Sequence, residues 1–108
     1  MKLLTKEIIK ELKERGFKEP YEDTDKVIAK FFNPVGLGTW YVLQGEEVEN
    51  GNWIFFGFVD WHEKEWGDFS LHELEGARLP MGLTIERDRH YKGTYADLVA
   101  LDRVDSRV

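Results

Sequence analysis

Cysteine is absent from this 108-residue sequence, which excludes disulfide bonds, thiolate nucleophiles and cysteine-ligated zinc or iron–sulfur sites. Serine is almost absent as well, because Ser70 fits a helix cap and the other serine, Ser106, lies near the C-terminus. A Ser-His-Asp hydrolase would therefore lack a suitable nucleophile. From these absences we expect no catalytic residues and no enzymatic activity.

Long apolar runs are also missing. No stretch of the sequence approaches the ~20 consecutive apolar residues that a membrane-spanning helix needs. The first residues contain no apolar segment of the length that a secretory signal requires. We therefore expect a cytoplasmic location and no membrane partner.

Positive charge is in short supply. The chain has 15 basic and 21 acidic residues, a net charge of -6. Affinity for nucleic acid comes mainly from neutralising phosphates, so direct nucleic-acid binding is disfavoured. Two interpretations of the acidity stay open: a solubility feature, or an acidic face that matches a basic partner.

Motifs for nucleotides and metals are incomplete. The segment Gly36-Leu37-Gly38 lacks the third glycine of a phosphate-binding loop, and no Gly-Lys-Ser or Gly-Lys-Thr follows a strand. His72 and Glu75 would share a helical face, but the His-Glu-x-x-His spacing of zinc hydrolases is missing. We predict no metal site and no cofactor, and a metal-dependent hydrolase is only a third alternative.

What is present predicts one α+β domain over residues 1–101, followed by a frayed tail over residues 102–108. Thr5 can cap an amphipathic N-terminal helix over residues 5–15 that carries Ile8, Ile9 and Leu12 on one face. The β-branched and aromatic runs 27–32, 39–44 and 53–59 predict an antiparallel meander of three to five strands.

The C-terminal half is less regular. Residues 60–68 are predicted to form a structured loop, and the Ser70-x-x-Glu73 spacing predicts a capped helix over residues 71–76. Residues 83–91 alternate loosely and predict an edge strand, and residues 94–101 predict a terminal helix. The two short helices, over residues 71–76 and 94–101, would thus lie near the C-terminus.

Candidate partner-binding residues fall into two acidic loops and one pair of tryptophans. The first loop carries Glu46, Glu47 and Glu49, and the second carries Glu63, Glu65 and Asp68. Trp61 and Trp66 lie among these charges, where an exposed aromatic ring can anchor an interface. Packing of both rings over the sheet edge is the alternative.

Five ordered blocks of the sequence carry a family resemblance. Residues 3–7, 30–34 with 38–40, 56–59, 70–75 and 82–88 resemble the signature of DUF family 2958, small bacterial proteins of unknown function. The resemblance covers roughly residues 3–100. It brings no agreed catalytic residues, so none is transferred to this chain.

The resemblance implies a function linked to mobile elements. That family occurs largely on plasmids and other mobile elements, and some relatives are described as anti-CRISPR inhibitors. The resemblance therefore implies an inhibitor that binds a type II, Cas9-type nuclease or its guide-RNA complex stoichiometrically. The alternative is a plasmid maintenance or conjugation accessory module that binds another host or plasmid protein. A shared fold leaves both open.

Overall fold

Within residues 2–104, which this computed structural model describes, three α-helices surround a five-stranded sheet. The helices are α1 (Lys6–Arg15), α2 (Leu71–Gly76) and α3 (Tyr95–Arg103). The strands are β1 (Ala29–Phe32), β2 (Thr39–Glu47), β3 (Trp53–Asp60), β4 (Lys64–Ser70) and β5 (Glu86–Arg87).

The sheet is antiparallel throughout, with the strand order β4-β3-β2-β1-β5. Strands β1 to β4 follow one another as a meander, and β5 returns to the far edge to pair with β1. The predicted α+β fold, with an N-terminal helix on an antiparallel meander, is confirmed.

Helix α1 begins and ends as its sequence predicts. The Thr5 hydroxyl oxygen accepts a hydrogen bond from the Ile8 amide at 3.1 Å, and Gly16 ends the helix at a φ of 58°. Leu12 is fully buried, and Ile8 and Ile9 pack against the same core cluster. The apolar stripe of this helix therefore covers one face of the sheet.

The two faces of the sheet hold separate cores. Leu12 of α1 and Leu74 of α2 join Phe31, Val42 and Phe55 on one face. On the other face Leu98 of α3 packs with Val27, Tyr41, Leu43 and Phe58. Because side chains alternate along each strand, β3 supplies Phe55 to the first face and Phe58 to the second.

The predicted structured loop over residues 60–68 is wrong for most of its length. Strand β3 continues to Asp60, residues 61–63 turn, and β4 begins at Lys64. Trp66 pairs with Phe58, and Asp68 pairs with Phe56. The charge that suggested a loop belongs to an edge strand, where charged side chains face solvent and prevent pairing with other chains.

Other boundaries also move. The predicted strand over residues 83–91 is reduced to the two residues of β5. The first predicted acidic loop begins later than expected, because β2 extends through Glu47. Helix α3 continues through Asp102 and Arg103, so the predicted tail is wrong for these two residues. Residues 105–108 lie outside the described residues.

Capping explains both C-terminal helices. The Ser70 hydroxyl oxygen accepts from the Glu73 amide, as predicted for α2. Thr94 and Asp97 form a reciprocal capping box that starts α3, since each side chain accepts from the backbone amide of the other residue. These bonds fix where α3 begins over the second face.

Strand packing at Gly57 gives a test of the fold. A Cβ added at Gly57 would lie 1.7 Å from the backbone oxygen of Tyr41 on β2, whereas one at its cross-strand partner Gly67 would meet nothing within 4 Å. Gly57→Ala should lower the free energy of unfolding by about 2 kcal/mol or more, because backbone must move. Gly67→Ala, the matched control, should change it by less than about 0.5 kcal/mol. Urea unfolding followed by tryptophan fluorescence measures both, and equal stabilities would contradict the close packing of β2 on β3.

Candidate functional site

An open groove lies on the face of the sheet that α3 covers only in part. Its volume is about 540 Å³, and residues 17–21, three strands and the start of α3 surround it. We call it the aromatic groove. It is lined by Phe17, Lys18, Glu19, Pro20, Tyr21, Gln44, Phe56, Trp66, Asp68 and Tyr95.

Four aromatic rings form the floor of the aromatic groove. The Tyr21 ring stacks on Phe56 with centroids 6.3 Å apart and planes at 3°, and it lies 5.4 Å from the Tyr95 ring. Trp66 lies 5.6 Å from Tyr95, and its indole nitrogen donates to the Asp102 carboxylate at 3.1 Å. These contacts hold the rings in place and leave part of their surface open.

One wall of the groove is the segment that connects α1 to β1. The Gln44 side-chain oxygen accepts from the Lys18 amide at 3.1 Å and from the Tyr21 hydroxyl group. Gln44 follows a β-bulge in β2, which places it on the same face as Leu43. The bulge therefore supplies the side chain that anchors this wall.

Lys18, in the same wall, forms an ion pair with Asp25. Its ammonium group lies 2.7 Å from the Asp25 carboxylate. The hydrogen bond from Lys18, together with the bond from the Glu22 amide, lowers the pKa of Asp25 below its ordinary value. The charge of Lys18 is thus matched within the wall itself.

The groove continues into a second, smaller cavity of about 450 Å³. The two cavities share Phe17 and Phe56, and the second adds Ile54 and Glu46. The Phe17 side chain is 79% exposed and Ile54 is 36% exposed. Two large apolar residues therefore border the aromatic floor in solvent, the arrangement found at surfaces that bind other molecules.

The rim of both cavities is acidic. Glu19 and Asp68 line the first cavity, Glu46 lines the second, and all three residues are exposed. Of the described residues that line the two cavities, Lys18 alone carries a positive charge. The site can therefore bury apolar surface and attract a cation.

The structure brings three of the eight predicted binding residues to this site. Asp68 and Trp66 line the groove and Glu46 lines its extension. Trp66 is half-buried, and its ring centre lies 4.9 Å from that of Phe58, so it packs on the sheet. Glu46, Asp68 and Glu65 were predicted in loops, and that is wrong, because all three lie in strands.

The other five predicted residues lie elsewhere. Glu47 closes β2 and Glu49 lies in the turn after it. Trp61 and Glu63 lie in the turn at the opposite end of β3, ~20 Å along the strand from the groove extension. Trp61 is 45% exposed, and its ring stacks on His62. Glu65 points to the opposite face from Trp66.

Sequence reasoning missed the residues that make the groove. Phe17 and Tyr21 come from the connection after α1, Phe56 from β3 and Tyr95 from α3, and no spacing rule joins these three segments. Phe17 offered the one readable signal, since it is a large aromatic residue between the helix-ending Gly16 and a polar connection. An exposed aromatic residue at such a place favours an interface.

Within residues 2–104, no three histidine or carboxylate side chains come close enough together to hold a metal ion. Within the same range, no helix is both long and apolar enough to cross a membrane.

Two phenols, the half-buried Tyr21 and the buried Tyr41, give a pH test. Burial raises the pKa of Tyr21 and of Tyr41 to about 12. Unfolded phenols lose their protons near pH 10, whereas the folded protein keeps them to a higher pH. The contribution of the neutral phenols to the free energy of unfolding is therefore complete below pH ~10 and is lost as the pH rises toward 12. The free energy of unfolding should fall across that window, and Tyr21→Phe and Tyr41→Phe should each make the fall shallower. Urea unfolding at a series of pH values measures the slopes, and unchanged slopes in both variants would argue against the burial.

Comparison with known proteins adds the family. Neither the curated proteins nor the solved structures gave a match to this chain. Residues 3–101, nearly the whole chain, match a family described as proteins of unknown function. The chain therefore belongs to the DUF2958 family, as its sequence blocks had suggested.

Proposed function

We propose that this protein is a non-enzymatic binding module that inhibits a Cas9-type nuclease by docking on it, or on its guide-RNA complex, through the aromatic groove. One observation carries the proposal: exposed apolar side chains and carboxylates lie together around an open aromatic floor. The choice of target rests on the family resemblance, which implies anti-CRISPR relatives. No cofactor and no bound nucleic acid are part of the proposal.

The apolar part of the site supports docking on a protein. Phe17 and Ile54 lose apolar surface to a partner on binding, and the half-buried Phe56 extends the same surface. Aromatic residues at the centre of a desolvated patch contribute most of the affinity of protein interfaces. The fixed rings of Tyr21, Trp66 and Tyr95 reduce the entropy lost on binding.

The acidic part of the site supports a basic target. A Cas9-type effector holds nucleic acid in positively charged channels and reads its adjacent motif with arginines. Carboxylates such as Glu19, Glu46 and Asp68 complement such a surface and speed association. The proposal implies a cytoplasmic location, where this nuclease acts, and the alternative of a plasmid maintenance or conjugation module would use the same groove on another basic protein.

Matched charge variants test the proposal. The groove variant carries Glu19→Gln, Glu46→Gln and Asp68→Asn, and the control variant carries Glu14→Gln, Glu63→Gln and Glu73→Gln at exposed sites outside both cavities. Both lose the same net charge, so only local complementarity differs between them. The groove variant should associate about 10-fold more slowly with the nuclease at low salt, and the control less than about 3-fold.

A cleavage assay with purified nuclease measures inhibition, which should saturate at one protein per nuclease, and surface plasmon resonance measures the rates. Equal association rates for the two variants would show that the interface lies outside the groove. If nuclease cleavage proceeds unchanged with a molar excess of the protein, the target is wrong. Recovery of a plasmid or conjugation protein from cells would then favour the alternative.

A further inference from the structure

We infer that the aromatic groove receives an arginine side chain of the partner, with its guanidinium group stacked on the aromatic floor and paired with Asp68. The inference rests on the proposed protein-binding function and specifies the chemistry of its partner. It combines two observations on the same cavity: open aromatic rings, and exposed carboxylates at their border.

The pairing of rings and carboxylates selects against other side chains. An aliphatic side chain would cover the rings of Phe56 and Trp66 but would desolvate Asp68 without a partner, which is costly. An acidic side chain or a phosphate would meet like charge at Glu19 and Asp68. A cation satisfies both components, since it is attracted to ring faces and forms charge-assisted hydrogen bonds with carboxylates.

The same face of the sheet already contains a cation held in this way. The Lys30 ammonium lies 5.6 Å from the centre of the Tyr41 ring and 5.0 Å from the centre of the Tyr91 ring. The Asp88 carboxylate lies 3.6 Å from the same ammonium. Two aromatic rings and one carboxylate thus surround a cation elsewhere on this face, and the groove presents the same kinds of group to solvent.

The shape of the floor favours arginine over lysine. The Tyr21 and Phe56 planes differ by 3°, so these two rings lie parallel and present faces of one orientation. A planar guanidinium group can lie on a flat ring surface and still direct its N–H groups in its own plane toward a carboxylate. An ammonium group has no such plane. A volume of about 540 Å³ also leaves room for the aliphatic part of the arginine and a neighbouring residue.

Among the described residues, the one cation that lines the groove is already paired with a carboxylate. Lys18 is the positively charged residue among the described residues that line it, and its ammonium group is bound to Asp25 at 2.7 Å. Nucleic-acid bases also stack on aromatic rings, but their phosphates would approach Glu19 and Asp68. Charge therefore separates an arginine-bearing protein from a nucleic acid as the occupant.

Small probes test this without the nuclease. The ligands are N-acetyl-arginine amide, its uncharged isostere N-acetyl-citrulline amide, and the corresponding lysine derivative, added to the whole chain. Chemical shifts of backbone amides and of the Trp66 indole N–H report occupancy, because that N–H is hydrogen-bonded at the groove. The arginine derivative should bind with millimolar affinity, and citrulline should bind about 10-fold or more weakly. Lysine should fall between the two.

Variants locate the binding. Asp68→Asn should weaken arginine binding about 5-fold or more, while Glu63→Gln at the distant turn should leave it unchanged. Phe56→Leu keeps an apolar side chain but removes a ring face from the floor, and it should also weaken binding. Phe69→Leu is its control, because Phe69 packs on Phe55 at the opposite face. Urea unfolding of each variant shows which of them remain folded.

Three results would overturn the inference: equal binding of arginine and citrulline, no effect of Asp68→Asn in the folded protein, or tighter binding of a single-stranded oligonucleotide than of the arginine probe. The outcome for the proposed function is separate. Loss of arginine selectivity combined with full nuclease inhibition would remove the inference and leave the inhibitor proposal standing. Arginine binding without inhibition of any Cas9-type nuclease would remove the inhibitor proposal and leave the arginine site standing.

Discussion

The double-sided burial of β3 is the constraint on which the rest of the structure depends. Phe55 and Phe58 are both fully buried but point to opposite faces of the sheet, so each face needs its own cover. One face receives two helices, α1 and α2, and the other receives α3. An eight-residue strand spans ~26 Å, whereas a nine-residue helix spans ~14 Å. A single short helix cannot cover the second face, and the aromatic groove lies where its cover ends.

The open end of that face is stabilised by aromatic packing and by a few polar contacts. Tyr21 and Tyr95 extend the buried core toward the groove, and the hydrogen bond between Trp66 and Asp102 ties β4 to the end of α3. Gln44 joins the connection after α1 to the sheet because the bulge in β2 turns it to this face. Each contact serves folding, and together they leave aromatic rings fixed at an open surface. A binding site of this kind needs no movement of the backbone to form.

The elements that local chemistry specifies could be predicted from the sequence. Thr5, Ser70 and Thr94 mark helix starts because short side-chain oxygens satisfy the first free amides, and β-branched and aromatic runs mark β1 to β3. Strand β4 was missed because an edge strand carries charge on a half-covered surface, and its sequence then resembles a loop. The groove could not be predicted, since tertiary packing brings together five segments: the connection after α1, three strands and α3. Acidity alone directed attention to exposed glutamates at both ends of β3, and only tertiary packing distinguishes Glu46 from Glu63.

Net charge and exposed apolar surface constrain each other at this site. A protein that leaves Phe17 and Ile54 in solvent risks association with its own copies through those side chains. Carboxylates around the same surface oppose association of two copies groove to groove, because Glu19, Glu46 and Asp68 of each copy would meet while the groove's lysine, Lys18, is paired with Asp25. The same repulsion disappears when the incoming surface is positively charged. Under the proposed function, the acidic rim would favour basic partners at the apolar floor and disfavour acidic ones. On this argument the three rim carboxylates would serve two purposes, because they contribute to the net charge of -6 and would also select a basic partner under the proposed function.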